Sequence, residues 1–81
     1  MPARFDLRPA AAKALRRLSQ PDRARILNAI EALPVGDVKR LIGCPGVYRL
    51  RVGTWRVLFE LADGDVIVVY RIAPRGSAYQ P

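Results

Sequence analysis

Arg49, Arg51 and Arg56 fall within eight consecutive residues, and Arg71 and Arg75 follow towards the end of the chain. Guanidinium groups concentrated in this way are suited to holding anions. Each offers a planar fork of N–H donors that matches phosphate oxygens and keeps its charge when partly desolvated. The rest of the composition narrows the chemistry. With no histidine and one cysteine, Cys44, the chain has no internal disulfide and almost no route to a metal cage or histidine acid–base catalysis. Cys44 also lacks an imidazole to activate it and reads as a buried small residue in a turn. Glu60 is a candidate general base, or more simply an ion-pair partner for arginine. Fourteen Lys and Arg, twelve of them Arg, oppose seven Asp and Glu, for a net charge of +7 and a pI of about 10.8. The expected partner is a polyanion: nucleic acid, an acidic protein, or both.

The elements that must position these side chains are legible from periodicity. Arg4–Arg8 alternates like a short edge strand. Pro9 opens a helix over Ala10 to Leu18, with Ala11, Leu15 and Leu18 as its apolar stripe and Lys13, Arg16 and Arg17 on a solvated face. Ser19 caps a second helix, with Pro21 in its first turn and Asp22 three residues after the cap. Ile26, Ile30 and Leu33 form that helix's stripe, and Pro34 and Gly36 end it. Asp37–Gly46 reads as a loop. From Val47 the period changes to two, giving strands Val47–Val52, Trp55–Leu61 and Val66–Ile72. Gly53-Thr54 suits a two-residue type II′ turn and Asp63-Gly64 a type I′ turn. The expected architecture is α+β, ordered β-α-α-β-β-β, with a two-helix hairpin packed on one face of a small antiparallel sheet. At 81 residues the chain is expected to form one domain, 1–81.

Turn chemistry sets register, and register sets faces. Across Gly53-Thr54, Val52 pairs with Trp55, Arg51 with Arg56, Leu50 with Val57 and Arg49 with Leu58. Tyr48, Leu50, Val52, Trp55, Val57 and Phe59 then make the core face. Arg49, Arg51 and Arg56 share the other. Extending the register across Asp63-Gly64 sets Arg71 opposite Arg56 and Val69 opposite Leu58, with Arg75 in phase. Like charges directly opposite cost roughly 0.2–1 kcal/mol per pair, a cost expected where an anion sits. Glu60 is the acidic group expected on that face. Val47, Leu58, Ile67 and Val69 form an apolar patch there, to be covered by a C-terminal segment or a protein partner.

Those residues also carry a resemblance. The stretch Lys39-Arg40-Leu41-Ile42-Gly43, then Gly46-Val47-Tyr48-Arg49-Leu50-Arg51-Val52-Gly53 and Trp55-Arg56-Val57-Leu58-Phe59-Glu60, resembles RelE-type toxins of the RelE/ParE superfamily. The ending from Tyr70-Arg71-Ile72 to Tyr79 continues the match. The resemblance implies a RelE-like fold and the toxin of a type II toxin–antitoxin system, an endoribonuclease that enters the ribosomal A site and cuts messenger RNA there to inhibit translation. It implies phosphate-holding roles for Arg49 and Arg51, to which the strand register adds Arg71, and catalytic roles for Arg56, Arg75 and Tyr79. Tyr79 would be a base or a base-stacking group. Pro74 stands where relatives often carry His or Lys. The basic helix face, Lys13, Arg16 and Arg17, is a second candidate contact, with ribosomal RNA. A cognate antitoxin with an amphipathic segment, in a toxin–antitoxin hetero-oligomer, would cover Val47, Leu58, Ile67 and Val69. Neither metal nor cofactor is expected.

Two other functions compete: a ParE-like inhibitor of DNA gyrase, and a non-catalytic RNA-binding module using the same face. An inactive toxin that only folds and binds its antitoxin is a third. The longest apolar run, Val66–Tyr70, is far shorter than the ~20 residues that span a bilayer. The N-terminus carries no apolar signal region, so a cytoplasmic location without membrane contact is expected.

Overall fold

A computed structural model of the chain describes residues 4–62 and 66–74. The elements run β1 (Arg4–Leu7), α1 (Pro9–Arg17), α2 (Gln20–Glu31), β2 (Asp37–Arg40), β3 (Val47–Val52), β4 (Trp55–Ala62) and β5 (Val66–Pro74). The five strands form one mixed sheet in the order β1-β5-β4-β3-β2. Strands β2 to β5 are antiparallel to their neighbours, whereas β1 runs parallel to β5. The α+β class and the helix-then-meander order therefore hold. The sheet is larger than the sequence suggested by a strand, because the segment expected to be a loop contains β2.

Both helices form for local reasons. Pro9 stands in the first turn of α1, where a missing N–H costs nothing. Ala11 and Leu15, four apart, are its buried residues, and Arg16 and Arg17 lie in its last turn, where cations complement the helix dipole. In α2 the Asp22 N–H donates to the Ser19 Oγ at 3.4 Å, and Asp22 sits in the electropositive first turn. Ile26 and Ile30, again four apart, are buried to 0% exposure. The helices cover one face of the sheet, α1 over β5 and β1 and α2 over β3. There they enclose Leu50, Val52, Val57, Phe59, Ile67, Val69 and Ile72. Tyr48 stacks on Phe59 with ring centroids 5.6 Å apart. Among the described residues, no helix is long and apolar enough to cross a membrane.

The β3–β4 pairing has the expected register throughout, from Val52↔Trp55 to Arg49↔Leu58 and on to Val47↔Glu60. Gly53 opens the turn at φ +59°, a conformation that is easy only for glycine. The β4–β5 pairing differs from expectation. Ala62 pairs with Val66, which leaves three residues between the strands where two were expected; those residues, including Asp63-Gly64, lie outside the described ones. The extra residue turns Ile67 and Val69 onto the core face, opposite Leu61 and Phe59, and both are buried. They cannot belong to an exposed patch on the basic face. A bulge then inserts Tyr70, so that Phe59 pairs with Val69 but Leu58 with Arg71. Bulge and longer connection together shift the register by two residues, which restores parity. Arg71 thus stays on the arginine face, but it opposes Leu58 and not Arg56, whose partner is Ala73.

Ile30 sits at the centre of the helix–sheet contact, so Ile30→Ala removes buried methylenes and leaves a void. Urea unfolding should show a loss of about 2–5 kcal/mol, while Arg16→Ala, on an exposed helix face, should stay within about 0.5 kcal/mol of the parent.

Candidate functional site

The site is the sheet face that the helices leave uncovered. On β2 to β5 its charged residues are Lys39, Arg49, Arg51, Arg56 and Arg71 against Asp37 and Glu60. Strand alternation puts them there: Asp37 and Lys39 are two apart on β2, directly opposite Arg51 and Arg49. Only Val38 in β2 is a strong strand former, so backbone pairing to β3 orders this edge. Gly36 leads the chain in at φ +138°, where a Cβ would come within 3.2 Å of Leu50 Cδ1.

Arg51 and Arg56 are directly opposed on adjacent strands. Their repulsion is relieved because each guanidinium has its own acceptors. Arg56 Nη1 donates to the Trp55 carbonyl at 2.9 Å and the Gly53 carbonyl at 3.2 Å, so Arg56 is tied to its own hairpin turn. Arg51 Nε donates to Asp37 Oδ2 at 2.6 Å, and Arg49 Nη2 donates to Asp37 Oδ1 at 3.3 Å. Arg49 and Arg56 are only 8% and 4% exposed, and a charge so buried requires such partners. The Arg51 side chain is 51% exposed and is the accessible guanidinium of the three. Leu58, in register between Arg49 and Arg71, is buried among these side chains. Arg71 is half-buried.

The Arg51 hydrogen bond holds the Asp37 carboxyl below its usual value of 3.8 against the opposing cost of burial; the charges of Arg51, Arg49 and Lys39 add to the effect. A depressed carboxylate pKa contributes stability above the ordinary carboxylate range, and the contribution disappears as pH falls through the lowered value. The Tyr70 phenol is raised, first by burial and then by the Glu60 carboxylate and Cys44.

Arg49, Arg51, Arg56 and Arg71 are brought to one face, as expected. Val47 and Leu58 share it; Ile67 and Val69 do not, and Val66 and Val68 take their place. Lys13, Arg16 and Arg17 are exposed on the outer side of α1, across the core from the arginine face, so they cannot act on the same phosphates. Arg75 and Tyr79 lie outside the described residues. Asp37 and Lys39 are not among the residues expected at the site, because Asp37–Gly46 has the residues of a loop and pairs as a strand only through β3. The available signal was the alternation of Asp37, Val38 and Lys39 behind a glycine. Beside them, Lys39, Arg40, Leu41, Ile42, Cys44 and Arg49 line an open depression of about 380 Å³. Among the described residues no group of three His, Cys, Asp or Glu could hold a metal ion.

The profile of the family "ParE toxin of type II toxin-antitoxin system, parDE" matches residues 5–79. A relative named as toxin RelE1 of Methanocaldococcus jannaschii is 42% identical over 45 residues, 54% of this chain and 50% of that protein; the match thus spans half the relative's length. Among solved structures, the RelB–RelE antitoxin–toxin complex from Methanococcus jannaschii is similar at 30% identity and a TM-score of 0.75, covering 91% of this chain and 94% of that one. The archaeal RelE–RelB complex from Pyrococcus horikoshii is similar at 32% identity and a TM-score of 0.73, covering 96% and 100%.

A carbon-detected NMR titration checks the electrostatics. The Asp37 side-chain carboxyl should titrate below the ordinary carboxylate value, and Arg51→Ala should move it up further than Arg49→Ala or Lys39→Ala does. An unshifted midpoint in the parent would contradict the ion pairs described.

Proposed function

The chain belongs to the ParE-toxin family of type II toxin–antitoxin systems, and we propose that it is a toxin that cuts messenger RNA on the ribosome. One observation carries this reading: a sheet face on which, across β2 to β5, five cations oppose two carboxylates, with three arginines from adjacent strands in direct or diagonal register. A flat array of guanidiniums fits the phosphates of an unpaired strand better than an apolar protein surface.

In the proposed reaction the ribose 2′-oxygen attacks the adjacent phosphorus. The 2′-O–P bond forms, the P–O5′ bond breaks, and a cyclic phosphate and a 5′-hydroxyl result. Negative charge gathers on the equatorial oxygens of the transition state. Preorganised donors stabilise such charge because they need no reorganisation as it develops. Arg51, with both terminal amino groups uncommitted to Asp37, meets a phosphate directly. Arg49 and Arg71 hold flanking phosphates, and Arg56 supports the scissile group from beneath the turn. Arg75 and Tyr79 complete the set by the resemblance of the ending, with Tyr79 as base or stacking partner. Arginine itself does not serve as base, because it holds its proton above about 12. None of these steps calls for a metal ion. An antitoxin chain is the proposed protein partner, as in the complexes of the two archaeal relatives. Val47, Val66 and Val68, half-buried on the basic face, give such a segment apolar ground beside the arginines.

The ParE profile favours a second reading, inhibition of DNA gyrase by protein–protein contact. One experiment separates the two. Purified toxin is added to programmed ribosomes and, in parallel, to a gyrase supercoiling reaction. Messenger cleavage is expected, with Arg56→Ala slowing it about a hundredfold or more and Arg56→Ala plus Arg75→Ala abolishing it while circular dichroism reports an intact fold. Intact messenger together with arrested supercoiling would replace the nuclease reading by the gyrase one. RNA binding should also weaken with salt, and Arg51→Ala should lower the log–log slope by about 0.7.

A further inference from the structure

Asp37 is the carboxylate that bonds two of the arginines proposed to hold RNA, and the reaction outlined above gives it no part. Its presence is not what simple phosphate affinity would favour, since a carboxylate on an anion-binding face repels the ligand. Its geometry is specific. Each oxygen takes one guanidinium, Oδ1 from Arg49 Nη2 at 3.3 Å and Oδ2 from Arg51 Nε at 2.6 Å. The bridge is built by the backbone: Asp37 is the register partner of Arg51 on the edge strand, two residues from the partner of Arg49.

Arg49 and Arg51, two apart on one side of β3, repel each other, and the half-exposed Arg51 would otherwise sample many rotamers. The shared carboxylate removes that freedom without consuming the donors that matter. Arg51 gives up only Nε and keeps both terminal amino groups; Arg49 gives up one terminal group and keeps its other nitrogens. The charged groups facing Asp37 are Arg49 and Arg51 from β3 and Lys39 from its own strand.

We propose that Asp37 is a positioning residue for RNA cleavage, a built-in counter-ion that aims Arg49 and Arg51 at phosphate and trims the excess field that would bind RNA in unproductive registers. This rests on the nuclease reading. It means that affinity and turnover respond in opposite directions when the charge is removed. Asp37→Asn keeps the shape, raises the net positive charge, loosens Arg51 and takes a charged acceptor from the buried Arg49; RNA then binds several-fold more tightly but is cut more slowly. Asp37→Glu restores the carboxylate.

Parent, Asp37→Asn and Asp37→Glu proteins are compared by three measurements: arginine Nε–H NMR signals without RNA, affinity for a short single-stranded RNA, and single-turnover cleavage on programmed ribosomes. The expected result is a resolved, slowly exchanging Arg51 Nε–H in the parent that is lost in Asp37→Asn and regained in Asp37→Glu. Asp37→Asn should show tighter RNA binding, a roughly ten- to hundredfold slower cleavage step, and partial rescue by Asp37→Glu. An unchanged Arg51 signal and unchanged RNA affinity in Asp37→Asn overturn the counter-ion role, whatever the parent cleaves. Loss of binding, cleavage and thermal stability together, with no rescue, overturns it in favour of a purely structural role. If the parent cuts nothing while the signal and affinity change as stated, the nuclease reading fails and the counter-ion role stands.

Discussion

The antiparallel pairing of β3 with β4 is the constraint on which the rest of the molecule depends. Because successive residues of a strand point to opposite sides, one turn of defined length assigns a face to every side chain on both strands. Gly53, at φ +59°, lets the strands reverse in two residues, and Val52 meets Trp55. Leu50, Val57 and Phe59 then face the helices, and Arg49, Arg51 and Arg56 face away from them. A turn one residue longer would flip one strand relative to the other, parting Arg56 from Arg49 and Arg51 and turning that strand's aliphatics away from the helices. The hydrophobic core and the basic face are therefore two consequences of one register, and burying Ile26 and Ile30 against the sheet also holds the arginines together.

Keeping like charges adjacent has a cost, and the structure distributes it. Arg56 uses the carbonyls of its own turn, which a tight hairpin exposes at its end. Arg49 and Arg51 share Asp37. Leu58 lies among the aliphatic stems, so that long basic side chains bury apolar surface while their heads stay polar. The resulting face is ordered before any ligand arrives and still carries an excess of positive charge. Such preorganisation suits a site that must stabilise charge developing on a phosphate, since the donors need not be gathered during the reaction.

The family profile names ParE toxins, while the relatives and complexes compared carry the name RelE. The shared scaffold explains both matches: a helical hairpin over a meander does not specify what the uncovered face does. Function on this scaffold rests on the side chains presented there. In this chain they include the guanidiniums of Arg49, Arg51, Arg56 and Arg71, and the carboxylate bonded to Arg49 and Arg51 comes from the edge strand β2.

What the sequence determined by itself was local. Pro9 and Ser19 begin helices through groups within a few residues of them, and Gly53-Thr54 closes a hairpin between adjacent segments. Both helices, the β3–β4 register, the core face and the grouping of Arg49, Arg51 and Arg56 were therefore legible. The tertiary structure decided what depends on distant neighbours. β2 is ordered by hydrogen bonds to β3 and not by its own propensities, so Asp37 was invisible as a partner of Arg49 and Arg51. The extra residue before Val66 sets Ile67 and Val69 on the core face, and the bulge at Tyr70, beyond them, returns Arg71 to the arginine face; both show only once β5 is paired with β4. Arg71 kept its face only because two one-residue departures add up to a full strand period.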